Sequence, residues 1–591
     1  MTINGFFNDL NLTKKDVPYI LLLIFLTSIP ITLKFTNPHI LHGYDVSIYV
    51  FNSIKLSGVH TNFNIDPKYL FLTPILSFLT SILIRLGVDY FISWVLIIGL
   101  FELVATISFY VFLKNRFNCL LSLAGGIFLI VTSNSLYILL LTLTDIAAIG
   151  LTILTLTFFI AGVNKNPKFY ILTAITFILS FFTRYATGFI LPLMIFYYLS
   201  RHDFFIGLDN FISNRKEFKS RMTSYLKSSD FKFLIISLGL TLVLFYLFCR
   251  SLISLDSNLG FISQTQNSVT GFNTPQDIYY STNSYYYITR FKDGLFNKTV
   301  RLFGIRFIYI VFSILIIGFM LKFYNLIKNI DFIKEIYNNR YTFKTKYLNV
   351  FLIISLFILC ALMYLMRHSN TIYVMIFFFI AFTICLSFIN RLNINKENYS
   401  LTLLMICMFC AYFLFFSLIN IKVHRYIITT YPAFIYLFLL SVEEIFTDIN
   451  YNFIPLKEKY LTKAFRFEFD KNMKSNIERA LVLLFILFLV VNSVNAMTNY
   501  EFSQRSYDIQ DMSDFIIDYD PSYQSKDFIT LNNYFRYFEL DLDKQIDFIN
   551  DWESDNITTY NATYIILNDT ISDPNYNSIH QVGIFTLYEH V

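Results

Sequence analysis

Cysteine, tryptophan and charge are all scarce in this chain. Its 591 residues include six cysteines and two tryptophans, and only 15% of the residues are charged. All six cysteines fall within apolar stretches, which excludes the disulfide framework that holds many small secreted domains together. The spacing of Cys407 and Cys410 resembles a redox or metal pair, but inside an apolar helix two small core residues are the favoured interpretation.

Motifs typical of soluble nucleotide-dependent enzymes are missing as well. The sequence contains no phosphate-binding P-loop, no dinucleotide-binding glycine pattern, no heptads and no internal repeat. Its basic residues cluster in short loops between apolar runs, which is the ordinary signature of a cytoplasmic membrane face. A nucleic-acid partner therefore has no support.

What the chain does have is apolar surface. Apolar residues make up 55% of the sequence, and the mean hydropathy is +0.54. A helix needs about 20 apolar residues to cross roughly 30 Å of hydrocarbon. The apolar runs predict an all-α polytopic membrane protein with about thirteen transmembrane helices. The predicted spans are 17–33, 91–113, 118–140, 144–163, 168–183, 186–200, 232–249, 303–322, 347–366, 371–390, 400–420, 427–442 and 480–497.

The distribution of basic residues predicts the orientation. Lys14 and Lys15 precede a first apolar run that lacks a small-residue cleavage site, so we predict a retained signal anchor with a cytoplasmic N-terminus. Residues 37–90 then form the first outer loop. The basic loops 201–231 and 322–346 come out on the cytoplasmic side, as the charge rule requires.

The apolar stretch 69–87 is an exception within this scheme. If it crossed the membrane, Lys114 and Arg116 would lie outside, against the charge rule. We therefore predict that it is a re-entrant or interfacial helix of the first outer loop.

The C-terminal tail predicts a second domain. Residues 498–591 contain 17 acidic and four basic residues, a net charge of −13, and follow an odd number of spans, so they are predicted to lie outside. The pattern indicates a short helix over 511–519 and strands over 526–531 and 564–567, a small α+β module. Residues 1–497 form the predicted membrane domain.

Ionisable side chains recur at the outer ends of the predicted spans. Snorkelling would explain the arginines singly, and helix capping would explain the aspartates. These explanations leave open why two acids and several cations recur on one face of the membrane. An ionisable side chain at mid-bilayer depth costs about 2.5–3.5 kcal/mol. The residues concerned, with the aromatic and histidine neighbours that accompany them, are Asp45, Asp145, Arg184, Tyr185, Arg367, Lys422, His424, Arg425 and Tyr426.

Such a set suits a lipid-linked phosphate substrate whose tail stays in the bilayer. Arginine donates two parallel hydrogen bonds to a phosphate, and fixed cations stabilise the charge that grows on a departing phosphate. A carboxylate within hydrogen-bond reach can remove the proton of an incoming hydroxyl. Because the phosphate is already a good leaving group, one aspartate can suffice for inverting glycosyl transfer.

Five short stretches of this sequence resemble the C-superfamily of membrane glycosyltransferases, which use polyprenyl-phosphate sugars. Protein O-mannosyltransferases, the lipid A aminoarabinose transferase and archaeal relatives are the most similar members. The stretches occur in the family's order and are Gly43-Tyr44-Asp45 with Tyr49, Thr73-Pro74-Ile75-Leu76, Thr144-Asp145-Ile146-Ala147, Phe182-Thr183-Arg184-Tyr185 and Val423-His424-Arg425-Tyr426 with Pro432.

The resemblance implies roles for these positions. Asp45 takes the place of the catalytic acid of the first outer loop, where it would act as general base, and Asp145 matches the second acidic position. Arg184 and Arg425 match phosphate-facing positions, to which we add Tyr185, Arg367, Lys422, His424 and Tyr426 as candidate phosphate contacts. Some members of the family bind a divalent metal in the outer loop, for which the candidate ligands here are His39, His42, His60 and Asp66.

The expected activity is transfer of a hexose, such as mannose, from a dolichyl or other polyprenyl monophosphate at the outer face of the plasma membrane. The acceptor is a glycan, a lipid or a protein of the cell envelope. Val46 follows Asp45 where protein O-mannosyltransferases have glutamate, so protein glycosylation is left open. Three alternatives remain: a lipid-linked oligosaccharide ligase or polymerase, a transporter or flippase of lipid-linked sugars, and a non-catalytic receptor.

Overall fold

The structure is a computed structural model of the chain. It describes residues 3–36, 44–59, 74–201, 219–220, 223, 225–254, 262, 281–297, 299–302, 304–329, 343–367, 371–390, 396–420, 422–448, 471–498, 504–531, 534–549, 562–568 and 574–591.

Within these ranges the chain forms twenty α-helices and seven β-strands. The helices are α1 (Ile3–Asp9), α2 (Val17–Phe35), α3 (Tyr44–Ser57), α4 (Ile75–Arg85), α5 (Tyr90–Leu113), α6 (Cys119–Val131), α7 (Ser133–Leu140), α8 (Asp145–Asn164), α9 (Phe169–Phe181), α10 (Ile190–Arg201), α11 (Ser229–Ser254), α12 (Tyr286–Leu295), α13 (Phe307–Asn329), α14 (Phe343–Met366), α15 (Thr371–Asn390), α16 (Lys396–Leu418), α17 (Tyr431–Asp448), α18 (Lys471–Thr498), α19 (Gln504–Tyr519) and α20 (Phe535–Leu542). The strands are β1 (Arg301–Leu302), β2 (Ile305–Arg306), β3 (Phe528–Leu531), β4 (Asp547–Ile549), β5 (Tyr564–Leu567), β6 (Tyr576–Val582) and β7 (Phe585–His590).

The predicted helical membrane bundle is confirmed, because each of the thirteen predicted spans coincides with a helix or a helix pair. Among the described residues, eight helices are long and apolar enough to cross a membrane, and the bent pair α6–α7 raises the number to nine. The chain is a multi-pass membrane protein. The count of thirteen stays a prediction, because the described apolar parts of α9, α10, α14 and α15 are shorter.

The predicted span 118–140 is broken in the structure. Thr132 has an extended backbone, with ψ at 146°, and its hydroxyl accepts the backbone N–H of Ser135 at 3.2 Å. This threonine therefore ends α6 and caps the first turn of α7, and the two helices meet at 58°. As a result α7 bends away from α6, and its Asn134 amide donates a hydrogen bond to the Tyr431 hydroxyl at 3.1 Å.

Two short helices of the first predicted outer loop lie side by side. The Ser77 hydroxyl of α4 donates to the Tyr49 carbonyl of α3 at 2.9 Å, and Arg85 Nε donates to the Ser57 carbonyl at 2.8 Å. These matched contacts show that α3 and α4 run in the same direction. The eleven residues of α4 rise about 16 Å, which is too short to cross the hydrocarbon, as predicted for the stretch 69–87.

The predicted C-terminal α+β domain is also confirmed. Five strands form one sheet in the order β4-β3-β5-β7-β6, in which β3 runs parallel to β4 and β5, while the pairs β5–β7 and β6–β7 are antiparallel. All residues of the central strands β3 and β5 are buried. They pack with α19 and α20 in a hydrophobic core that is separate from the core of the helix bundle. The boundary between residues 497 and 498 stays a prediction.

Close helix contacts inside the bundle depend on small residues. At Gly150 of α8, a Cβ atom would lie 2.5 Å from the Cα of Ala105 on α5. Without a large hydrophobic effect between helices in lipid, such close approach is a main source of packing energy. Gly239 of α11 is exposed, and no other described part of the chain beyond its own helix turn lies within 4 Å of where its Cβ would be.

We therefore expect Gly150→Val to destabilise the protein, because the α5 backbone would have to move. Overpacking of this kind typically costs about 1–3 kcal/mol. The matched control is Gly239→Val, which has the same helix-propensity change and should alter the free energy of unfolding by less than about 0.5 kcal/mol. Thermal unfolding of both variants in detergent measures the difference, and equal midpoints would contradict the packing argument.

Candidate active site

Four charged side chains meet at one end of the helix bundle. Asp45 stands in the first turn of α3, and Asp145 is the first residue of α8. Arg184 directly precedes the 3-10 helix Tyr185–Phe189, and Arg425 is the second residue of the 3-10 helix His424–Thr430. All four therefore stand where a helix begins, and a helix N-terminus favours a carboxylate in its first turn.

Each aspartate pairs with one arginine. Arg425 Nη2 forms an ion pair with Asp45 Oδ2, and Arg184 Nη1 lies 2.6 Å from Asp145 Oδ1. The Asp145 side chain is only 1% exposed, and its charge also acts on Arg425. The four groups therefore form one cluster with no net charge. Such neutrality is expected, because burying a charge without a partner costs several kcal/mol.

Tyr426 holds the two arginines in a common orientation. The Cζ atom of Arg184 lies 5.1 Å from the centre of the Tyr426 ring, and that of Arg425 lies 5.9 Å from it. A guanidinium over an aromatic face gains about 0.5–2 kcal/mol. Phe416, whose ring centre is 5.2 Å away, packs against the same tyrosine, so both guanidinium groups rest on a fixed aromatic surface.

The cluster contains buried polar atoms without hydrogen bonds from the described part of the chain. Asp145 Oδ1 contacts Arg184, but Asp145 Oδ2 accepts no hydrogen bond from the described residues, and Arg425 Nε donates none to them. Buried polar atoms of folded proteins are almost always hydrogen-bonded, so each exception needs an explanation. A polar ligand would form hydrogen bonds with these donors and acceptors.

The segment before Arg425 is fixed by elements that the sequence did not predict. The Tyr287 hydroxyl of α12 donates to the Val423 carbonyl at 3.0 Å, and the Asn134 amide of α7 lies 3.3 Å from the His424 carbonyl. The His424 ring is hydrogen-bonded to the backbone of Arg290. The signal for α12 was present in the spacing of Tyr287, Phe291 and Leu295, which places three apolar side chains on one helical face.

The other predicted phosphate contacts have partners of their own. Lys422 is 4% exposed, and its Nζ donates to the carbonyls of Phe416 and Ser417 at the end of α16, at 3.0 and 2.7 Å. Burial lowers the pKa of Lys422 to about 8. Arg367 directly follows α14, and its Nη1 donates to the Tyr364 carbonyl at 2.7 Å. Their role in phosphate binding stays a prediction.

Tyr185 belongs to the aromatic wall next to the cluster. Its ring centre lies 5.4 Å from that of Phe181 and 6.4 Å from that of Phe182. The candidate metal ligands His39, His42, His60 and Asp66 lie outside the described residues. Within the described ranges, no three His, Cys, Asp or Glu side chains are grouped so that they could hold a metal ion.

A small cavity lies next to Arg184. It is enclosed by α8, α16 and the two 3-10 segments, and apolar groups form most of its wall. The lining residues are Ala148, Ile149, Thr152, Arg184, Ala186, Thr187, Met408, Tyr412 and Thr429. The charged cluster thus borders directly on an apolar space inside the bundle.

Comparison with known proteins identifies the fold. No family model and no curated protein matches the sequence. The chain is similar to the crystal structure of ArnT from Cupriavidus metallidurans bound to undecaprenyl phosphate, with a TM-score of 0.54, 10% identity, and 97% of this chain and 98% of that chain covered. The apo state of the same ArnT gives a TM-score of 0.52, 10% identity, and coverage of 93% and 94%. The resemblance to C-superfamily glycosyltransferases is therefore confirmed at the level of the fold.

The Asp145–Arg184 pair predicts non-additive effects on stability. Arg184→Met leaves a buried carboxylate without its partner, which typically costs about 3–5 kcal/mol. Adding Asp145→Asn removes the unpaired charge, so the double variant should be more stable than Arg184→Met alone. Unfolding free energies in detergent for the wild type, the two single variants and the double variant give the coupling free energy.

A matched control uses the pair of Lys322 and Glu444, whose Nζ and Oε2 atoms lie 2.8 Å apart. Its carboxylate is 15% exposed, against 1% for Asp145, so its coupling should stay below about 1 kcal/mol. Equal coupling in the two cycles would show that burial of Asp145 is not what makes its pairing necessary.

Proposed function

We propose that this protein is a glycosyltransferase that moves a sugar from a polyprenyl monophosphate to an acceptor on the outer side of the plasma membrane. The observation that carries the proposal is the cluster of two aspartates and two arginines with unsatisfied buried polar atoms, at one end of a membrane bundle. It is supported by the fold shared with ArnT, whose crystal structure contains undecaprenyl phosphate.

The two arginines bind the donor phosphate. The donor is a phosphodiester with one negative charge, and its product is a phosphomonoester with up to two. Arg184 and Arg425 rest on Tyr426, so their guanidinium groups are oriented before the charge develops. Preorganised donors of this kind contribute to the rate because they stabilise the transition state more than the ground state, and losing one typically costs about 2.7–4 kcal/mol.

Asp45 is the general base. The acceptor hydroxyl gives its proton to Asp45 while its oxygen bonds to the anomeric carbon, and the bond from that carbon to the phosphate oxygen breaks. Attack from the face opposite the phosphate inverts the anomeric configuration. Because Arg425 pairs with Asp45 in the absence of substrate, binding of the phosphate to Arg425 would free the carboxylate for this step.

Asp145 orients the sugar. Its Oδ1 contacts Arg184, its Oδ2 accepts no hydrogen bond from described groups, and the side chain is too deeply buried to serve as an exposed base. Hydroxyl groups of the transferred sugar or of the acceptor are donors of the kind that these oxygens need. Tyr185, Arg367, Lys422 and His424 are secondary candidates for contacts to the phosphate.

The remaining assignments follow the same scheme. The N-terminus is cytoplasmic, residues 498–591 are extracytoplasmic, and the donor is dolichyl-linked with a hexose such as mannose.

Asp45→Asn is expected to lower the transfer rate by about 10²–10⁴-fold, because the amide cannot accept the proton of the acceptor hydroxyl. The purified protein is incubated in lipid nanodiscs with a panel of polyprenyl-phosphate sugars, and released polyprenyl phosphate is measured by mass spectrometry. Parallel reactions with a diphosphate-linked oligosaccharide would reveal a ligase instead, through release of polyprenyl diphosphate.

The matched control for this experiment is Asp511→Asn. Asp511 is an exposed aspartate on α19, so the same chemical change should leave the rate unaltered. Full activity of a folded Asp45→Asn protein would remove Asp45 from the mechanism, and release of diphosphate alone would replace the proposed donor.

A further inference from the structure

The C-terminal domain contacts the helix that carries Asp45. Its helix α20 packs against α3, and the Tyr90 hydroxyl at the start of α5 donates to the Leu540 carbonyl at 2.8 Å. The Leu540 side chain is buried in the hydrophobic core of the membrane bundle rather than in that of its own domain. The two domains are therefore joined at the end of the bundle where the charged cluster lies.

Arg536 is the centre of this contact. Its Cζ atom lies 4.8 Å from the centre of the Phe51 ring on α3 and 4.5 Å from that of Phe535. The arginine side chain is 8% exposed and forms an ion pair of 2.8 Å with Glu539, which is 5% exposed. A guanidinium without water around it gains more from an aromatic face than an exposed one does.

Glu539 links this contact to the fold of the C-terminal domain. Its Oε1 accepts the backbone N–H of Ile546 at 3.2 Å, while its Oε2 holds Arg536. The glutamate thereby fixes the arginine to a rigid part of its own domain, and the arginine presents a fixed positive charge to Phe51.

Phe51 and Asp45 belong to the same helix. They are six residues apart, which corresponds to about 9 Å along the axis of α3. Phe51 is buried, so a shift of its ring would have to move the α3 backbone rather than only the side chain. Movement of α3 would change the distance from Asp45 to Arg425 and to any substrate.

We propose that Arg536 is a positioning residue, which holds α3 through Phe51 and thereby fixes the carboxylate of Asp45 in the active site. The catalytic part of this inference rests on the proposed function. The C-terminal domain then belongs to the catalytic apparatus, although the ion-pair partners of Asp45 and Asp145 are arginines of the membrane domain. A misplacement of 1 Å can cost about 10²-fold in rate.

The test compares four proteins in nanodiscs: the wild type, Arg536→Lys, the double variant Arg536→Met with Glu539→Gln, and the control Lys544→Met. The double variant removes both charges of the pair, so Glu539 is not left as an unpaired carboxylate. Lys544 is the matched control because its Nζ lies 5.9 Å from the Phe528 ring and donates to the Gln524 carbonyl, contacts that remain within the C-terminal domain.

Hydrogen–deuterium exchange of the α3 amides is the first measurement, and it does not depend on any activity. In the double variant we expect exchange over residues 48–57 to be at least about tenfold faster than in the wild type, because α3 loses one of its contacts. Lys544→Met should leave α3 unchanged. Unaltered exchange in the double variant would overturn the inference, whether or not sugar transfer is observed.

Steady-state kinetics is the second measurement. We expect kcat of the double variant to fall by about 10–100-fold at an unchanged KM, with partial recovery in Arg536→Lys, because misplacement of the base affects the chemical step. An unchanged kcat in the double variant would overturn the inference, even if exchange were faster. A wild type without Asp45-dependent transfer would instead overturn the proposed function, while the exchange data would still decide whether Arg536 holds α3.

Discussion

The pairing of two aspartates with two arginines at the end of a membrane bundle is the constraint on which the candidate site depends. A charge buried there without a partner would cost several kcal/mol, so Asp145 needs Arg184 and Arg425 needs a carboxylate within reach. The helix ends that carry these residues must therefore converge. Once they converge, two guanidinium groups lie oriented beside two carboxylates, which is the arrangement that the proposed function uses.

A second buried aspartate shows what a purely structural acid looks like in this protein. Asp16 is also 1% exposed, but its oxygens accept hydrogen bonds from the Tyr110 hydroxyl and from Thr13, and Lys114 lies 3.3 Å away. The hydrogen bonds of Asp16 are all made to groups of the protein, and they connect the start of α2 to the end of α5. Asp145 is equally buried, and Arg184 Nη1 lies 2.6 Å from its Oδ1, yet its Oδ2 accepts no hydrogen bond from the described residues. This difference is the physical reason for proposing that Asp145 binds a ligand, whereas Asp16 stabilises the contact between α2 and α5.

Prediction from sequence succeeded where the signal is local. Apolar runs predicted all the helices that, among the described residues, are long and apolar enough to cross a membrane, and the tail was recognised as an α+β domain. The break at Thr132 was missed, because one threonine inside an apolar run does not reveal whether its hydroxyl caps a new helix. Helix α12 was missed although its apolar spacing was visible, since it is too short and too polar to stand out beside the membrane spans.

The sequence by itself determined the class of protein, the positions of its membrane helices and the concentration of ionisable residues at one set of helix ends. These properties follow from hydropathy and charge, which each residue carries wherever it is placed. Only the tertiary structure decided which acid pairs with which arginine, which polar atoms lack hydrogen bonds, and that α20 touches α3. Asp45 and Arg425 are 380 residues apart in the chain, and Tyr90 and Leu540 are 450 apart. Contacts at such separations depend on how all the intervening helices pack, and no local pattern encodes that packing.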